Sequence, residues 1–195
     1  AKQLADDEAA LAEAHDGADI VYFSGITMAI LAPRARGRLI KAIVRARDAG
    51  ARVLFDPNLR PTLWTSPPIM ASTLTVAASI ADLVLPTHSD EAPLFGDAST
   101  TATAQRYLDL GVEEVAVKNG AEPAVVATRT EAHTVAAPSG KVVDATGAGD
   151  SFNGAYLAAR LRGEPPDSAA SAAHRVAGIV IGQPGALVDP ALLRA

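Results

Sequence analysis

Segments with helical and extended patterns alternate through the first 118 residues, and this alternation limits the possible folds more than any other feature. Apolar residues recur at helical spacing in five segments, residues 1–15, 33–48, 68–78, 91–95 and 101–110. Short apolar runs typical of buried strands lie between them, at residues 19–24, 51–56, 82–85 and 114–118. Parallel strands need crossover helices, and those helices cover the faces of the sheet. We therefore expect an α/β fold with three layers, in which a mostly parallel central sheet has helices on both faces.

The pattern changes after Gly120, where two short extended pieces replace the helix and strand units. Residues 124–128 and 132–137 are separated by Arg129-Thr130-Glu131, which predicts a hairpin. Further helices are predicted at residues 151–162, at residues 166–181 and from Pro190. The 195 residues are 49% hydrophobic and contain no long linker, so we expect a single domain over residues 1–195.

The composition argues against several classes of protein. The net charge is −5 and the basic residues form no long cluster, which is unlike a nucleic-acid-binding protein. The chain has no cysteine, so thiol catalysis and disulfides are excluded. It has no run of 18 apolar residues and no basic signal sequence, so we expect no membrane partner and a cytoplasmic location. A small-molecule ligand fits these properties best.

The run from Val143 to Gly154 places two glycines directly before a carboxylate and a predicted helix start. Gly147 and Gly149 permit a tight turn with positive φ and a close approach of a ligand to the backbone. The unpaired amides of Gly147, Ala148 and Gly149 would then form an anion site at the helix N-terminus. Asp150 either caps this helix or removes a proton beside a bound phosphate. The spacing fits neither the GxxxxGK[ST] loop nor the GxGxxG dinucleotide fingerprint.

Residues 144–154, Asp-Ala-Thr-Gly-Ala-Gly-Asp-Ser-Phe-Asn-Gly, resemble the C-terminal signature of the ribokinase-like, or PfkB, family of sugar kinases. The resemblance implies a ribokinase-like fold and transfer of a phosphoryl group from ATP with the help of Mg²⁺. It also implies that Asp150 is the catalytic base and that the amides of Gly147, Ala148 and Gly149 form the anion hole.

Two further segments resemble the acceptor side of these kinases. Ser24-Gly25-Ile26-Thr27 follows the first predicted strand and is either a plain turn or, as in the resembling kinases, a wall of the acceptor site that includes Ile26. Asp56-Pro57-Asn58-Leu59-Arg60 is a turn signal by itself, but it looks like the D-x-N-x-R stretch of the sugar-acid kinases in the family. That likeness places Asn58 near the phosphates and Arg60 near the acceptor, where a guanidinium suits a carboxylate or phosphate.

The remaining candidates concern the metal and the nucleotide. Residues 85–92 resemble a segment with an N-x-x-E motif, which implies that Glu91 acts on Mg²⁺ through water. Residues 117–123 resemble a nucleotide-edge turn, which implies that Lys118 and Gly120 border ATP, although a solvated lysine at a strand end is the alternative. His174 is found about where similar kinases have an asparagine beside the base, and helix packing explains the alanines around it.

Within the family, the chain looks most like the branch that phosphorylates 2-keto-3-deoxygluconate, on residues 22–27, 56–64 and 94–96. We therefore expect a kinase that transfers the ATP γ-phosphate to the terminal hydroxyl of this or a similar sugar acid. Two alternatives stay open, another kinase of the family such as a fructokinase or ribokinase, and a non-catalytic nucleotide- or sugar-binding fragment. The resemblance also implies that the chain lacks the N-terminal strand and the β lid of the family fold, and that a homo-oligomer is possible.

Overall fold

A six-stranded sheet organises residues 3–193, which are the residues that the computed structural model describes. The strands lie side by side in chain order: β1 (Ile20–Ser24), β2 (Arg52–Asp56), β3 (Leu83–Val84), β4 (Glu114–Val117), β5 (Ala124–Thr128) and β6 (Ala132–Val135). The first four pair in parallel, and β5 and β6 continue the sheet in antiparallel pairs. Both the mostly parallel sheet and the hairpin predicted from the sequence are confirmed.

Eight α-helices accompany the strands in the described part of the chain: α1 (Glu8–His15), α2 (Gly25–Ile30), α3 (Pro33–Asp48), α4 (Pro67–Ser79), α5 (His88–Phe95), α6 (Thr100–Asp109), α7 (Ala148–Leu161) and α8 (Pro166–Ile181). Single turns of 3-10 helix cover Pro61–Leu63 and Pro190–Leu193. The predicted bounds of α3 and α8 are confirmed, whereas α7 begins three residues earlier than predicted and α2 was not predicted. Residues 1 and 2 of the first predicted helix lie outside the described residues.

The sheet is packed on both faces, because neighbouring residues of its strands belong to two different hydrophobic clusters. On β2, Val53 and Phe55 join one cluster and Leu54 joins the other. The first cluster receives apolar residues from α1 to α6, and the second from α7 and α8. A strand covered on both faces is apolar at every position rather than at alternate ones, as the run Val53-Leu54-Phe55 shows. The predicted three-layer architecture is therefore confirmed.

A buried carboxylate at the start of β4 holds the far end of α7 against the sheet. Glu114 accepts hydrogen bonds from the Tyr156 hydroxyl at 2.7 Å and from Arg160 Nε at 2.8 Å. Arg52 of β2 lies 3.3 Å from the same carboxylate. Burial disfavours the charge of Glu114, but the hydrogen bonds from Arg160 and Tyr156 outweigh it and lower its pKa. The end of α7 thus lies where β4 starts. The helix therefore begins at the other end of the strands, along the edge of the sheet formed by the carboxyl ends of the parallel strands.

Several polar residues meet at that edge, which is where open α/β folds bind their ligands. Ser24 and Asp56 are paired in register at the ends of β1 and β2, and Lys118 directly follows β4 and bridges to Thr87. Within residues 3–193 no strand precedes β1, and all described strands belong to the one sheet, so this part of the chain contains no separate β lid. None of the described helices is both long enough and apolar enough to cross a bilayer.

Gly25 gives a test of this packing, because the backbone of the β2 end approaches it closely. A Cβ atom on Gly25 would lie 1.9 Å from the carbonyl oxygen of Pro57. We expect Gly25→Ala to lower the free energy of unfolding by at least about 2–3 kcal/mol, because the backbone must move to make room. The control is Gly37→Ala, which meets no atom within 4 Å in α3 and should raise stability by about 0.5–1 kcal/mol. Urea unfolding followed by circular dichroism measures both, and equal stability of the two variants would contradict the packing.

Candidate functional site

The N-terminus of α7 is the centre of the candidate site. Gly147 is its N-cap, with φ of 79°, and no side chain caps the helix. A Cβ atom at this position would lie 2.8 Å from the Cβ of Ala186, so both the conformation and the space require glycine. Gly149 is already inside the helix and does not have positive φ, contrary to the prediction. Asp150 is the third residue of α7 and is exposed, so it is not the N-cap.

Three amides at this helix end remain available to a ligand. The Ala148 amide donates to the Ala145 carbonyl at 3.2 Å, so it is engaged within the turn, contrary to the prediction that it faces an anion. The amides of Gly147, Gly149 and Asp150 have no acceptor among residues 3–193. Unpaired amides at a helix start, together with the helix dipole, favour an anion. The free amides are those of Gly147, Gly149 and Asp150 rather than the predicted Gly147, Ala148 and Gly149, and the binding of an anion there stays a prediction.

The loop that leads into α7 is held by the carboxylate of Asp144. Its Oδ1 accepts from the Thr146 amide at 2.9 Å and its Oδ2 accepts from the Gly185 amide at 2.9 Å. The Thr146 hydroxyl also donates to Oδ1, at 2.6 Å, and this hydrogen bond together with those from the two amides lowers the pKa of Asp144. The Val143 and Asp144 amides donate to the Ile181 carbonyl at 2.7 and 3.1 Å. The loop is thus attached to the end of α8 and to the segment that follows it.

A polar network that is buried except for Tyr22 lies beneath the first turns of α7. Asn153 Nδ2 donates to Asp56 Oδ2 at 2.8 Å, and Lys118 Nζ donates to Asn153 Oδ1 at 2.9 Å. Lys118 Nζ lies 3.6 Å from Asp56 Oδ1, and the Tyr22 hydroxyl donates to Asp56 Oδ2 at 3.3 Å. Burial and the Asp56 charge both raise the pKa of Tyr22, which keeps this hydroxyl a donor. The network joins β1, β2, the end of β4 and α7.

Lys118 belongs to this network and is buried, so the alternative of a solvated lysine is wrong, and its contact with a nucleotide stays a prediction. Only 8% of the residue is exposed. A Cβ atom on Gly149 would lie 3.8 Å from Lys118 Nζ, so the ammonium group lies under the start of α7. Burial lowers the pKa of Lys118, and the Asp56 carboxylate opposes that shift. Gly120 lies in the turn after β4 with φ of 63°, and its contact with a nucleotide stays a prediction.

The charged residues predicted on the acceptor side converge on the same edge. Arg60 is exposed and acts electrostatically on Asp90, whose carboxyl pKa is raised by partial burial against the attraction of Arg60 and Lys118. The Asp150 carboxylate acts on Lys118 and Tyr22 in the same way. The edge therefore carries two exposed carboxylates and a guanidinium around the buried lysine.

Two backbone features complete the acceptor side. The Asn58 amide donates to Asp56 Oδ1 at 3.1 Å, and Asn58 has φ of 35°. Ile26 is the second residue of α2, at the end of β1, and is half-buried. Both residues thus lie at the edge where the sequence placed them, and their contacts with ligands stay predictions.

Glu91 is held away from this edge, contrary to its predicted role at a metal. It is 0% exposed, and its two oxygens accept from the Tyr107 hydroxyl at 2.9 Å and from Arg106 Nη2 at 2.7 Å. Arg106 also binds Asp97 and stacks on the Phe95 ring at 3.9 Å. Glu91 therefore joins α5 to α6, and its neighbour in sequence, Asp90, is the carboxylate at the cleft. Residues 3–193 contain no group of three or more His, Asp and Glu that could by itself enclose a metal ion.

His174 is likewise buried in the packing between helices, and its predicted place beside the base stays a prediction. It is 6% exposed and meets the Phe152 ring edge-on at 5.2 Å. Burial lowers its pKa, and its Nε2 has no partner among the described residues. The structure thus favours helix packing at this position.

Free helix amides beside an exposed carboxylate, at the carboxyl edge of a parallel sheet, form the kind of site that phosphoryl-transfer enzymes use. The sequence profile of the pfkB family carbohydrate kinases matches residues 1–191. The chain therefore belongs to the pfkB family of carbohydrate kinases, as the resemblance of its glycine motif predicted.

Three relatives illustrate this membership. A 2-dehydro-3-deoxygluconokinase of Escherichia coli is 36% identical over 184 residues, which are 92% of this chain and 60% of that protein. The crystal structure of a PfkB protein from Polaromonas sp. JS666 has a TM-score of 0.79 and 31% identity, over 98% of this chain and 61% of that one. Aminoimidazole riboside kinase from Salmonella enterica, in complex with aminoimidazole riboside and an ATP analog, has a TM-score of 0.79 and 28% identity, over 90% and 61%. The chain thus spans about three fifths of the length of these relatives.

Four site residues were not assigned from the sequence, namely Tyr22, Asp56, Asp90 and Asn153. The sequence could have indicated Asn153, because it lies three residues after Asp150 and therefore on nearly the same side of the helix. It could also have indicated Asp56, because it ends a buried strand at the ligand-binding edge. No sequence pattern distinguishes Tyr22 from other strand residues or Asp90 from other helix residues.

The buried carboxyl of Glu91 should make the stability of the protein fall as the pH rises. Burial raises its pKa from 4.5 to about 7, so the folded chain keeps a proton that the unfolded chain has released. The free energy of unfolding therefore falls between about pH 4.5 and pH 7, because the folded state binds more protons there. We expect Glu91→Gln, which cannot titrate, to remove about 2–3 kcal/mol of this change.

Urea titrations between pH 5 and pH 7.5 measure the difference, with the exposed Glu113→Gln as the matched control. If the free energy of unfolding changes equally with pH in the wild type and in Glu91→Gln, the raised pKa of Glu91 is contradicted. Unchanged magnesium dependence of Glu91→Gln would in addition agree with its position away from the cleft.

Proposed function

We propose that the protein containing this chain is an ATP-dependent kinase that phosphorylates the terminal hydroxyl of 2-keto-3-deoxygluconate or a similar sugar acid. The observation that carries the proposal is the meeting of free α7 amides with the exposed Asp150 carboxylate at the edge of the sheet. Membership in the pfkB family and the similarity to a 2-dehydro-3-deoxygluconokinase support it.

In this proposal Asp150 is the general base and the α7 amides bind the transferred group. The acceptor oxygen forms a bond to the γ-phosphorus of ATP while the bond from that phosphorus to the β–γ bridging oxygen breaks, and ADP leaves. Asp150 takes the proton of the acceptor hydroxyl. The amides of Gly147, Gly149 and Asp150 donate to the oxygens on which negative charge accumulates. The loop fixed by Asp144 keeps these donors in place before ATP arrives, so they need no reorganisation.

The residues present are compatible with a magnesium ion bound together with the nucleotide. Magnesium is usually held by one or two carboxylates together with substrate phosphates, rather than by an all-protein cage. Asp90 is the exposed carboxylate at the cleft that we assign to this role, in place of Glu91. The ion, when bound, neutralises charge on the phosphates.

The acceptor side fits a substrate that carries a carboxylate. Arg60 is exposed at the edge and its Nη1 donates to its neighbour's carbonyl, that of Leu59, which leaves guanidinium donors for a planar anion. Ile26 supplies an apolar contact and Asn58 lies beside the phosphate path in this assignment. In this assignment Lys118 lies beneath the first turn of α7 and acts on ATP through its charge. Gly120 would contact ATP from the turn after β4.

A different acceptor within the same family is the second candidate. The chain is as similar in fold to aminoimidazole riboside kinase as to the PfkB protein of Polaromonas, with the same TM-score of 0.79. The choice between acceptors therefore depends on the charge of Arg60 and on direct assays with both kinds of substrate. A homo-oligomer remains a prediction of the family resemblance.

The role of Asp150 is tested by Asp150→Asn in the full-length protein. We expect kcat to fall about 10³-fold because the acceptor hydroxyl loses its base, while the Kd for ATP stays within about threefold. The matched control is Asp167→Asn, which changes an acidic residue in the first turn of α8 and should retain wild-type kcat. A coupled assay of ADP release and calorimetry with ATP make the measurements. Wild-type turnover in Asp150→Asn would remove the base from the mechanism.

The acceptor is tested by comparing 2-keto-3-deoxygluconate with fructose and aminoimidazole riboside, in the wild type and in Arg60→Gln. We expect the wild type to prefer the acid. We expect Arg60→Gln to raise its KM for the acid about 10- to 100-fold, with the KM for ATP almost unchanged, because a charge-assisted pair is lost. The exposed Arg34→Gln serves as control. Preference for a neutral acceptor, or an unchanged KM for the acid in Arg60→Gln, would reject the sugar-acid assignment.

A further inference from the structure

Lys118 is one of the few charged residues buried within the described part of the chain, and its surroundings call for a physical reason. Lysine is almost never fully buried unless it is paired, because the ammonium loses its hydration. Its Nζ donates to Asn153 Oδ1 at 2.9 Å and lies 3.6 Å from Asp56 Oδ1. The simplest reason is that it neutralises the buried carboxylate of Asp56.

Asp56, however, has several other donors that already disperse its charge. Its Oδ1 accepts from the Asn58 amide at 3.1 Å, and its Oδ2 accepts from the Tyr22 hydroxyl at 3.3 Å and from Asn153 Nδ2 at 2.8 Å. A buried carboxylate with three hydrogen bonds needs less from a counter-charge than an unpaired one. The distance of 3.6 Å from Lys118 is also the longest of these contacts.

The ammonium group lies instead close to the helix start that would receive the transferred phosphoryl group. A Cβ atom on Gly149 would be only 3.8 Å from Nζ, and the Asp150 and Asp90 carboxylates are the next charges that act on it. Asn153, its hydrogen-bond partner, belongs to the same first turns of α7. A full positive charge is thus fixed beneath amides that carry only partial charges.

We propose that Lys118 is a positioning residue for phosphoryl transfer, which holds Asn153 and the start of α7 and adds a fixed positive charge to the anion site. This inference rests on the proposed kinase function. A helix N-terminus contributes roughly half a unit charge, so one buried ammonium strengthens the site substantially. The charge is preorganised, because burial and two side-chain partners keep it in place, and it therefore stabilises charge as that charge develops.

The experiment separates this role from simple neutralisation of Asp56. In the full-length protein, Lys118→Gln is compared with the double variant Asp56→Asn/Lys118→Gln, in which no buried charge lacks a partner and the amides can still hydrogen bond. The exposed Lys41→Gln is the control. The measurements are thermal unfolding, kcat, the KM for ATP, and the Kd of MgADP with and without aluminium fluoride, which mimics the transferred phosphoryl group.

We expect the double variant to fold and to show kcat about 10- to 100-fold below the wild type, with the KM for ATP within about threefold. The tightening of MgADP binding by aluminium fluoride should weaken by a similar factor relative to the single variant Asp56→Asn, and neutralisation of Asp56 alone would not produce that difference. A double variant with wild-type kcat and wild-type tightening would overturn the inference, because Lys118 would then serve only to neutralise Asp56. Asp56→Asn/Lys118→Met, with the same expected losses, replaces the double variant if that one does not fold. An inactive wild type would instead reject the proposed function itself.

Discussion

The burial of the Asp56 carboxylate at the end of β2 is the constraint on which the candidate site depends. A carboxylate that is 3% exposed must be matched by donors, or the folded state loses several kcal/mol. Tyr22 of β1 and Asn153 of α7 donate hydrogen bonds to it, and the ammonium group of Lys118, at the end of β4, lies 3.6 Å away. Satisfying this one group therefore fixes where the first turns of α7 lie relative to the strand ends.

The opposite end of α7 is held by a second buried carboxylate, Glu114, through Tyr156 and Arg160. A helix attached at two separate points on a sheet keeps both its axis and its rotation about that axis. The free amides at its start and Asp150 are thus oriented in part by contacts of Arg160, which lies ten residues after Asp150 in the chain. Preorganisation of this kind is what electrostatic catalysis requires, since donors that must first reorient contribute less.

The sequence predicted the order of elements, the parallel sheet and the glycine motif, because each depends on local periodicity or on local backbone freedom. The metal role predicted for Glu91 was wrong. Neighbouring residues on a helix point about 100° apart, and the packing of α6 decides that Glu91 rather than Asp90 is buried. The burial of Lys118 and His174 was not predicted, because burial of a polar group depends on partners distant in sequence, here Asn153 and Phe152. The helix α2 was missed because its six residues are too short to show a period.

The distribution of the helices over the two faces of the sheet has a consequence for the folding of the chain during synthesis. Helices α1 to α6 all cover one face of the sheet, and the other face receives apolar residues only from α7 and α8 among residues 3–193. Before α7 and α8 are synthesised, the face that carries Leu54, Leu83 and Val126 therefore lacks the helices that cover it within residues 3–193. Exposed apolar side chains favour association with other chains, so the docking of α7 both covers this face of the sheet and brings the glycine turn to the carboxyl ends of the strands.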